Sequence, residues 1–265
     1  MFYILGLLIS ASSILISIQH LKQNVLFYFD FVAVSVVFGG TAAVALVILP
    51  WEYWFDILVA VKRLLSPQAR SFKALATECM YFIHTRGQIS QEMKQAQLPS
   101  DVLKDGEELI SLGFKPDKVE LILTERIHQR TASYHTIANA LRSLAKYPPA
   151  FGLVGTVLGL VSLMRAVSDG APPKEVGIRM AVALLATFYG LLVSNLIISP
   201  AGENLMKLAT EEKKQAELAL QAVLLMAENV TLLEAQEVLN SFVPRVDRVN
   251  VLSELGLSST EENAA

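Results

Sequence analysis

The chain has 265 residues, 53% of them hydrophobic and 18% charged, with a mean hydropathy of +0.45; a soluble domain carries about 25% charge, so an ordinary water-soluble globular enzyme is excluded. The 22 Lys+Arg stand against 25 Asp+Glu, a net charge of −3, which leaves no basic excess for nucleic acid. The single cysteine, Cys79, excludes an intramolecular disulfide and a Cys-rich zinc cluster.

Residues 1–21 carry no charge and are mostly apolar; the first charged side chain is Lys22. This window lacks a basic leading region and an A-x-A cleavage pattern, so it reads as a retained helix rather than a signal peptide. A second uncharged window runs from Phe31 to Trp51. The polar stretch 52–146 follows and is helical in pattern. Ser66-Pro67 reads as an N-cap with proline at the first helical position, and Gly87 as the C′ residue closing that helix. Ser100 is expected to cap a short helix that Gly113 ends. Lys115-Pro116 opens another, whose apolar residues Val119, Leu121, Ile122, Ile127 and Ile137 continue toward a third uncharged window, Tyr147 to Met164. The fourth window runs from Met180 to Gly202. The tail is amphipathic over 203–240, with Leu218, Leu220, Val223, Leu224, Leu225 and Leu232. Ser253 to Ala265 is polar and expected to be disordered.

The four windows are 21, 21, 18 and 23 residues long, against about 20 needed to cross roughly 30 Å of hydrocarbon. Arg165, at the end of the shortest, can snorkel. The expected fold is an all-α membrane protein: four transmembrane helices with a helical cytoplasmic domain inserted between the second and third. The expected division is a hairpin over 1–51, the cytoplasmic domain over 52–146, a second hairpin over 147–202, and a cytoplasmic helix and tail over 203–265. Orientation follows from the basic residues flanking the spans. The insertion and tail offer nine (Lys62, Arg63, Arg70, Arg130, Arg142, Lys146, Lys207, Lys213 and Lys214), the short links only four (Lys22, Arg165, Lys174 and Arg179). Both chain ends are therefore expected in the cytoplasm.

No nucleotide-binding lysine loop, G-x-S-x-G or H-E-x-x-H motif is present. Gly152, Gly155 and Gly159 lie in an apolar span with no following lysine, which argues against a phosphate loop. His128 and His135 are seven residues apart, roughly 10 Å along a helix, too far to share a metal through that helix, and read as solvated. Cys79 reads as a buried apolar residue. No catalytic, cofactor or metal-ligand set is expected. In the third window Gly152, Gly155, Thr156 and Gly159 share one helix face. In the fourth, Ala183, Thr187, Gly190 and Ser194 do the same. Two readings stand open: close helix–helix packing through small residues, or a narrow polar path in which Thr156 and Thr187 offer oxygens to a hydrated cation. No Asp, Glu, Lys or Arg lies in any window. A proton relay at hydrocarbon depth uses a titratable group, so another polypeptide would have to supply it.

The run Tyr147-Pro148-Pro149-Ala150-Phe151-Gly152-Leu153-Val154-Gly155-Thr156-Val157-Leu158-Gly159-Leu160 resembles the third span of MotA-type stator subunits. Met180 to Gly190 resembles their fourth span, with Ser199-Pro200 where that span ends, and Leu112 to Asp117 resembles a turn of their cytoplasmic region. The wider family is the MotA/TolQ/ExbB proton-channel group. Its TolQ- and ExbB-like members usually have three spans, so the N-terminal hairpin is closer to MotA. The resemblance implies a bacterial inner-membrane homopentamer around two copies of a MotB-like single-span partner. The partner's aspartate carries the ion, H+ or Na+, and the cytoplasmic region passes torque to the flagellar rotor. It implies that Thr156 and Thr187 face that aspartate and that Pro149 and Pro200 couple ion passage to cytoplasmic movement. Ala186 stands where some sodium-driven relatives have a further Thr, which favours protons. The family also has rotor-contacting Arg and Glu residues near a Gly. Aligned on Gly87, Glu92 takes the acidic position, His84 falls on the basic one, and Arg86 is displaced by two. Arg179 departs from the usual small or apolar residue near the outer end of the fourth span. The displaced Arg86 leaves a non-flagellar output, such as envelope energy transduction or defence, as the alternative, with a passive four-helix scaffold as the contrasting class.

Overall fold

The computed structural model describes residues 2–20, 28–49, 57, 71–87, 98–248 and 250. Ser66-Pro67, Glu92 and the polar terminus 253–265 lie outside the described residues. Among the described residues every regular element is helical: α1 (Phe2–His20), α2 (Phe31–Ile48), α3 (Phe72–His84), α4 (Leu98–Ser111), α5 (Pro116–Leu144), α6 (Tyr147–Ser168), α7 (Pro173–Leu192), a π-helix (Val193–Ile198), α8 (Ser199–Ala227), α9 (Leu232–Phe242) and a 3-10 turn (Arg245–Asp247). They form two compact units, one of residues 1–67 and 134–207, the other of residues 68–133 and 208–265. The long helices α5 and α8 contribute residues to both.

In the first unit, the Asp30 side chain starts α2 by accepting the Ala33 N–H at 2.8 Å. α2 then buries Ala33, Val37, Thr41 and Ala45, one residue every fourth position and hence one face. The Thr41 hydroxyl donates back to the Val37 carbonyl at 2.6 Å, so it brings no unpaired polar atom inside. α5 and α6 are separated only by Ala145 and Lys146. The interruption is written in the sequence: Pro148 and Pro149 have no N–H to give the carbonyls of Leu144 and Ala145. Gly170, at φ +74, closes α6, with the Ala171 N–H bonded to the Ala166 carbonyl at 2.9 Å.

α7 begins at Pro173, seven residues before the fourth uncharged window. Arg179 does not stop it, because Glu175 and Ser162 take up its guanidinium at 2.7 and 2.5 Å. α7 runs into the π-helix, where the Ser199 N–H reaches back five residues to the Ser194 carbonyl. α8 then starts with Pro200 in its first turn. A proline cannot donate to the carbonyl four residues back and its ring crowds it, and a widened turn is one way helical chains accommodate this.

Three helical runs hold a stretch long and apolar enough to cross a membrane: Phe31–Ile48, Pro116–Ser168 and Pro173–Ala227. The apolar part of α1, Leu5–His20, falls short of that length over the residues described. Outward-facing Val47, Leu153, Val161 and Leu184 are all more than half exposed. An apolar surface of that extent is not one that water solvates.

The second unit is built differently. Leu75, Cys79 and Phe82 of α3, Leu103 of α4, Val119 and Leu123 of α5, Leu218 and Val223 of α8 and Leu239 of α9 form one buried cluster. α4 ends where the spacing predicts, at Gly113 (φ +82), with the Phe114 N–H on the Leu109 carbonyl at 3.1 Å. Four local expectations are corrected. Ser100 is no cap: α4 starts earlier, at Leu98, and Ser100 is fully buried with its hydroxyl unpaired. The C′ residue closing α3 is Arg86 (φ +50), with Gly87 one place further on, because the Gly87 N–H takes the Phe82 carbonyl and the Arg86 N–H the Ile83 carbonyl. The amphipathic tail is two helices, parted at Asn229 (φ +54) and restarted by Thr231, whose hydroxyl accepts the Glu234 N–H at 3.3 Å. Leu121, expected on the apolar face of α5, is 62% exposed.

Candidate functional site

The two small-residue faces meet each other. A Cβ placed on Gly152 would lie 2.8 Å from the Ala186 carbonyl oxygen, and one on Gly159 would lie 2.5 Å from the Ala183 Cβ. Both are closer than real Cβ contacts permit, so glycine is what allows α6 and α7 to approach. Ala186 is 1% exposed and packs on Gly155, which leaves the glycine face filled by the neighbouring helix. α2 seals the pair from another side, where Phe151 fills the space a side chain at Gly40 would need. Tyr189 of α7 donates its hydroxyl to the Tyr28 carbonyl and accepts the Asp30 N–H at 3.2 Å.

Thr156 and Thr187 stand together within this contact, hydroxyl to hydroxyl and part-buried. Thr156 Oγ1 also lies 3.0 Å from the Gly152 carbonyl in its own helix and 3.0 Å from the Ala183 carbonyl across the interface. Thr187 Oγ1 lies 3.4 Å from the Gly152 carbonyl. Two hydroxyls own two protons. With Thr187 donating to Thr156, and Thr156 to either carbonyl, both protons are used and oxygen lone pairs are left over. The arrangement is rich in acceptors, and what it can do chemically is receive a proton donor or coordinate a small cation.

Pro149 lies in the first turn of α6, seven residues before Thr156, and Pro200 in the first turn of α8, thirteen residues after Thr187. Pro148 is buried and Pro149 part-buried in the first turn of α6. Gly190 of α7 presses on them: a Cβ there would lie 3.0 Å from the Pro148 carbonyl carbon and 3.1 Å from the Pro149 Cα. Pro200 follows the π-helix and is part-buried. Arg86 belongs to the second unit, exposed in a left-handed turn, beside a cavity of about 190 Å³ that His84, Met226 and Asn229 also line. Arg86 and Asn229 are the two non-glycine residues with positive φ among those described, and both line this cavity.

Ser162 was not among the expected site residues. It lies on the continuation of the Gly155–Gly159 face, three residues on, and extending the spacing by one turn finds it. Arg179 extends the fourth-window face in the same way, four residues before Ala183. His135 has its ring Nδ1 3.0 Å from the Met206 sulfur, so it is not simply solvated, whereas His128 is exposed.

The sequence profile of the MotA/TolQ/ExbB proton channel family matches residues 94–218. Motility protein A of Borreliella burgdorferi is 30% identical over 172 residues, covering 64% of this chain and 64% of that protein. The fold is similar to the chain solved in the structure of C. jejuni MotAB, with a TM-score of 0.82 at 16% identity over 94% of this chain and 98% of that one. It is likewise similar to the flagellar MotAB stator complex from Bacillus subtilis, with a TM-score of 0.78 at 17% identity and the same coverage. The chain is thus similar in sequence to the MotA/TolQ/ExbB proton channel family over residues 94–218, and it shares the fold of the solved MotAB chains over 94% of its length.

Proposed function

We propose that this chain is the ion-conducting stator subunit of a flagellar rotary motor, coupling inward proton flow to torque on the rotor. The observation that carries this reading is the Thr156–Thr187 pair, an acceptor-rich spot between two apolar helices whose uncharged windows contain no titratable carboxylate. Such a spot needs an acid from outside the chain. A MotB-like single-span subunit supplies it as an aspartate, and the solved relatives named MotAB support a partner of that kind. In this reading α1 is a fourth span. Both termini and residues 52–146 lie in the cytoplasm, and five copies surround two partner chains in the bacterial inner membrane. Ala186 supports protons over sodium: its methyl packs on Gly155 and brings no oxygen to the path. Pro149 and Pro200 bend where ion passage becomes movement, and Arg86 with Glu92 meets the rotor.

The test is Thr187→Val, which keeps the shape of the side chain and removes its oxygen. Swimming speed and ion current of cells carrying the chain and its partner are expected to fall more than about tenfold, the factor that about 1.4 kcal/mol in a barrier represents. Full motility and full current in Thr187→Val would leave only a packing scaffold. The displacement of Arg86 from the family's basic position favours a second reading, the same ion-driven motor with a non-flagellar output. Loss of current in Thr187→Val with no motility defect would select it.

A further inference from the structure

We propose that Ser194 is a positioning residue for the ion-driven movement, its hydroxyl standing in for the N–H that Pro149 lacks. The proposal rests on the stator reading. In an α-helix the carbonyl of residue i takes the N–H of residue i+4. For Ala145 that donor would come from residue 149, and a proline there has none. Ala145 is buried, 8% exposed, so water does not replace the missing donor. Ser194, 5% exposed, donates its Oγ–H to this carbonyl at 2.5 Å.

Ser194 is tied to the second proline as well. It lies inside the π-helix, and its own carbonyl receives the Ser199 N–H next to Pro200. One residue thus holds the first break through its side chain and the second through its backbone. Thr187 lies seven residues earlier on α7, roughly 10 Å along the axis, with Gly190 against the Pro148–Pro149 backbone between them. A serine in a helix has a local alternative, the carbonyl four residues back, which here is that of Gly190. Rotation about one side-chain bond therefore moves the hydroxyl proton from the Ala145 carbonyl to the Gly190 carbonyl without leaving it unpaired. Opening the clasp leaves the buried Ala145 carbonyl without a donor, so the bond holds α6 and α7 in register until their shift breaks it. With Ser194 in place the two proline breaks move as one, and without it the hydroxyl pair and the cytoplasmic helices lose step.

Two measurements test this in the full chain with its partner. Ser194→Ala is expected to lower the near-zero-load rotation speed by roughly two- to tenfold, the factor carried by one hydrogen bond, with the amount of complex in the membrane unchanged. Ser194→Thr, which keeps the hydroxyl, is expected to restore the speed. The second measurement is a thermal-stability cycle on the purified complex with Ser194→Ala, Pro149→Ala and both. Alanine at 149 supplies an N–H to the Ala145 carbonyl, so Ser194→Ala is expected to lower the melting midpoint beside Pro149 and leave it unmoved in the Pro149→Ala background. Wild-type speed in Ser194→Ala, or equal stability losses in both backgrounds, overturns the proposal. A wild-type chain that carries no current and drives no rotation overturns the stator reading instead, and the stability cycle still decides the role of Ser194.

Discussion

The two units are both all-helical, yet they are held together by opposite means. In the second, large side chains such as Phe82, Leu103 and Leu218 are fully buried against one another, and each contributes about 1.5–3 kcal/mol by leaving water. In the first, the α6–α7 contact is made by glycine and alanine and crossed by hydroxyl and guanidinium bonds at Thr156 and Ser162. Many of the larger side chains of α6 and α7, Leu153, Val161 and Leu184 among them, point outward. That inversion is what two solvents demand. Where lipid surrounds a helix there is no gain in hiding a leucine, so close backbone approach and hydrogen bonds take over. The lesson is that the first unit is sensitive to added volume and the second to removed volume.

The contrast can be broken from either side. The largest effect is expected at Phe82→Ala, which empties the centre of the second unit and should cost about 3–5 kcal/mol. Chemical denaturation of the full protein, followed by circular dichroism, measures it. A loss below about 1 kcal/mol would mean that this cluster is not a packed core. Next comes a pair of identical changes in the first unit. Gly152→Ala meets the Ala186 backbone at 2.8 Å and should destabilise by about 1–3 kcal/mol through overpacking. Gly177→Ala meets nothing within 4 Å in the same fold and should stabilise by about 0.5–1 kcal/mol through helix propensity. Thermal melts of the two variants in detergent should therefore move in opposite directions, and a shared direction would refute the close-packed interface. The smallest effect is at Arg86→Gly. A left-handed residue other than glycine is strained by about 1–2 kcal/mol, part of which glycine's greater chain entropy offsets. The melting midpoint should rise slightly even as the proposed rotor contact is lost, so a more stable protein that swims worse is the outcome expected.

What could be read from the residues alone follows the same divide. Uncharged windows locate α2, α6 and α7 because lipid-compatible length is a local property. Gly113 locates the end of α4 because a left-handed turn there asks for glycine. The end of α3 is displaced by one residue because the left-handed position is occupied by Arg86, and nothing in an arginine announces that conformation. The Ser100 cap fails because a buried serine and a capping serine look alike until the start of the helix is known. Spacing puts Thr156 and Thr187 on the right faces. Their contact is a matter of register between two helices, and register is tertiary. The start of α7 is missed because Arg179 looks like a boundary until Glu175 and Ser162 are seen beside it.

An α-helix turns the chain about 100° per residue, and the π-helix at Val193–Ile198 takes in an extra residue for the same turn. α8 consequently points its side chains in a phase that counting from α7 would miss. Deleting a single codon within that stretch would tidy the hydrogen bonding while swinging Leu205 and Ala209, both buried, about 100° away from their neighbours. The surplus residue works as a gear tooth, and gene length here encodes an angle.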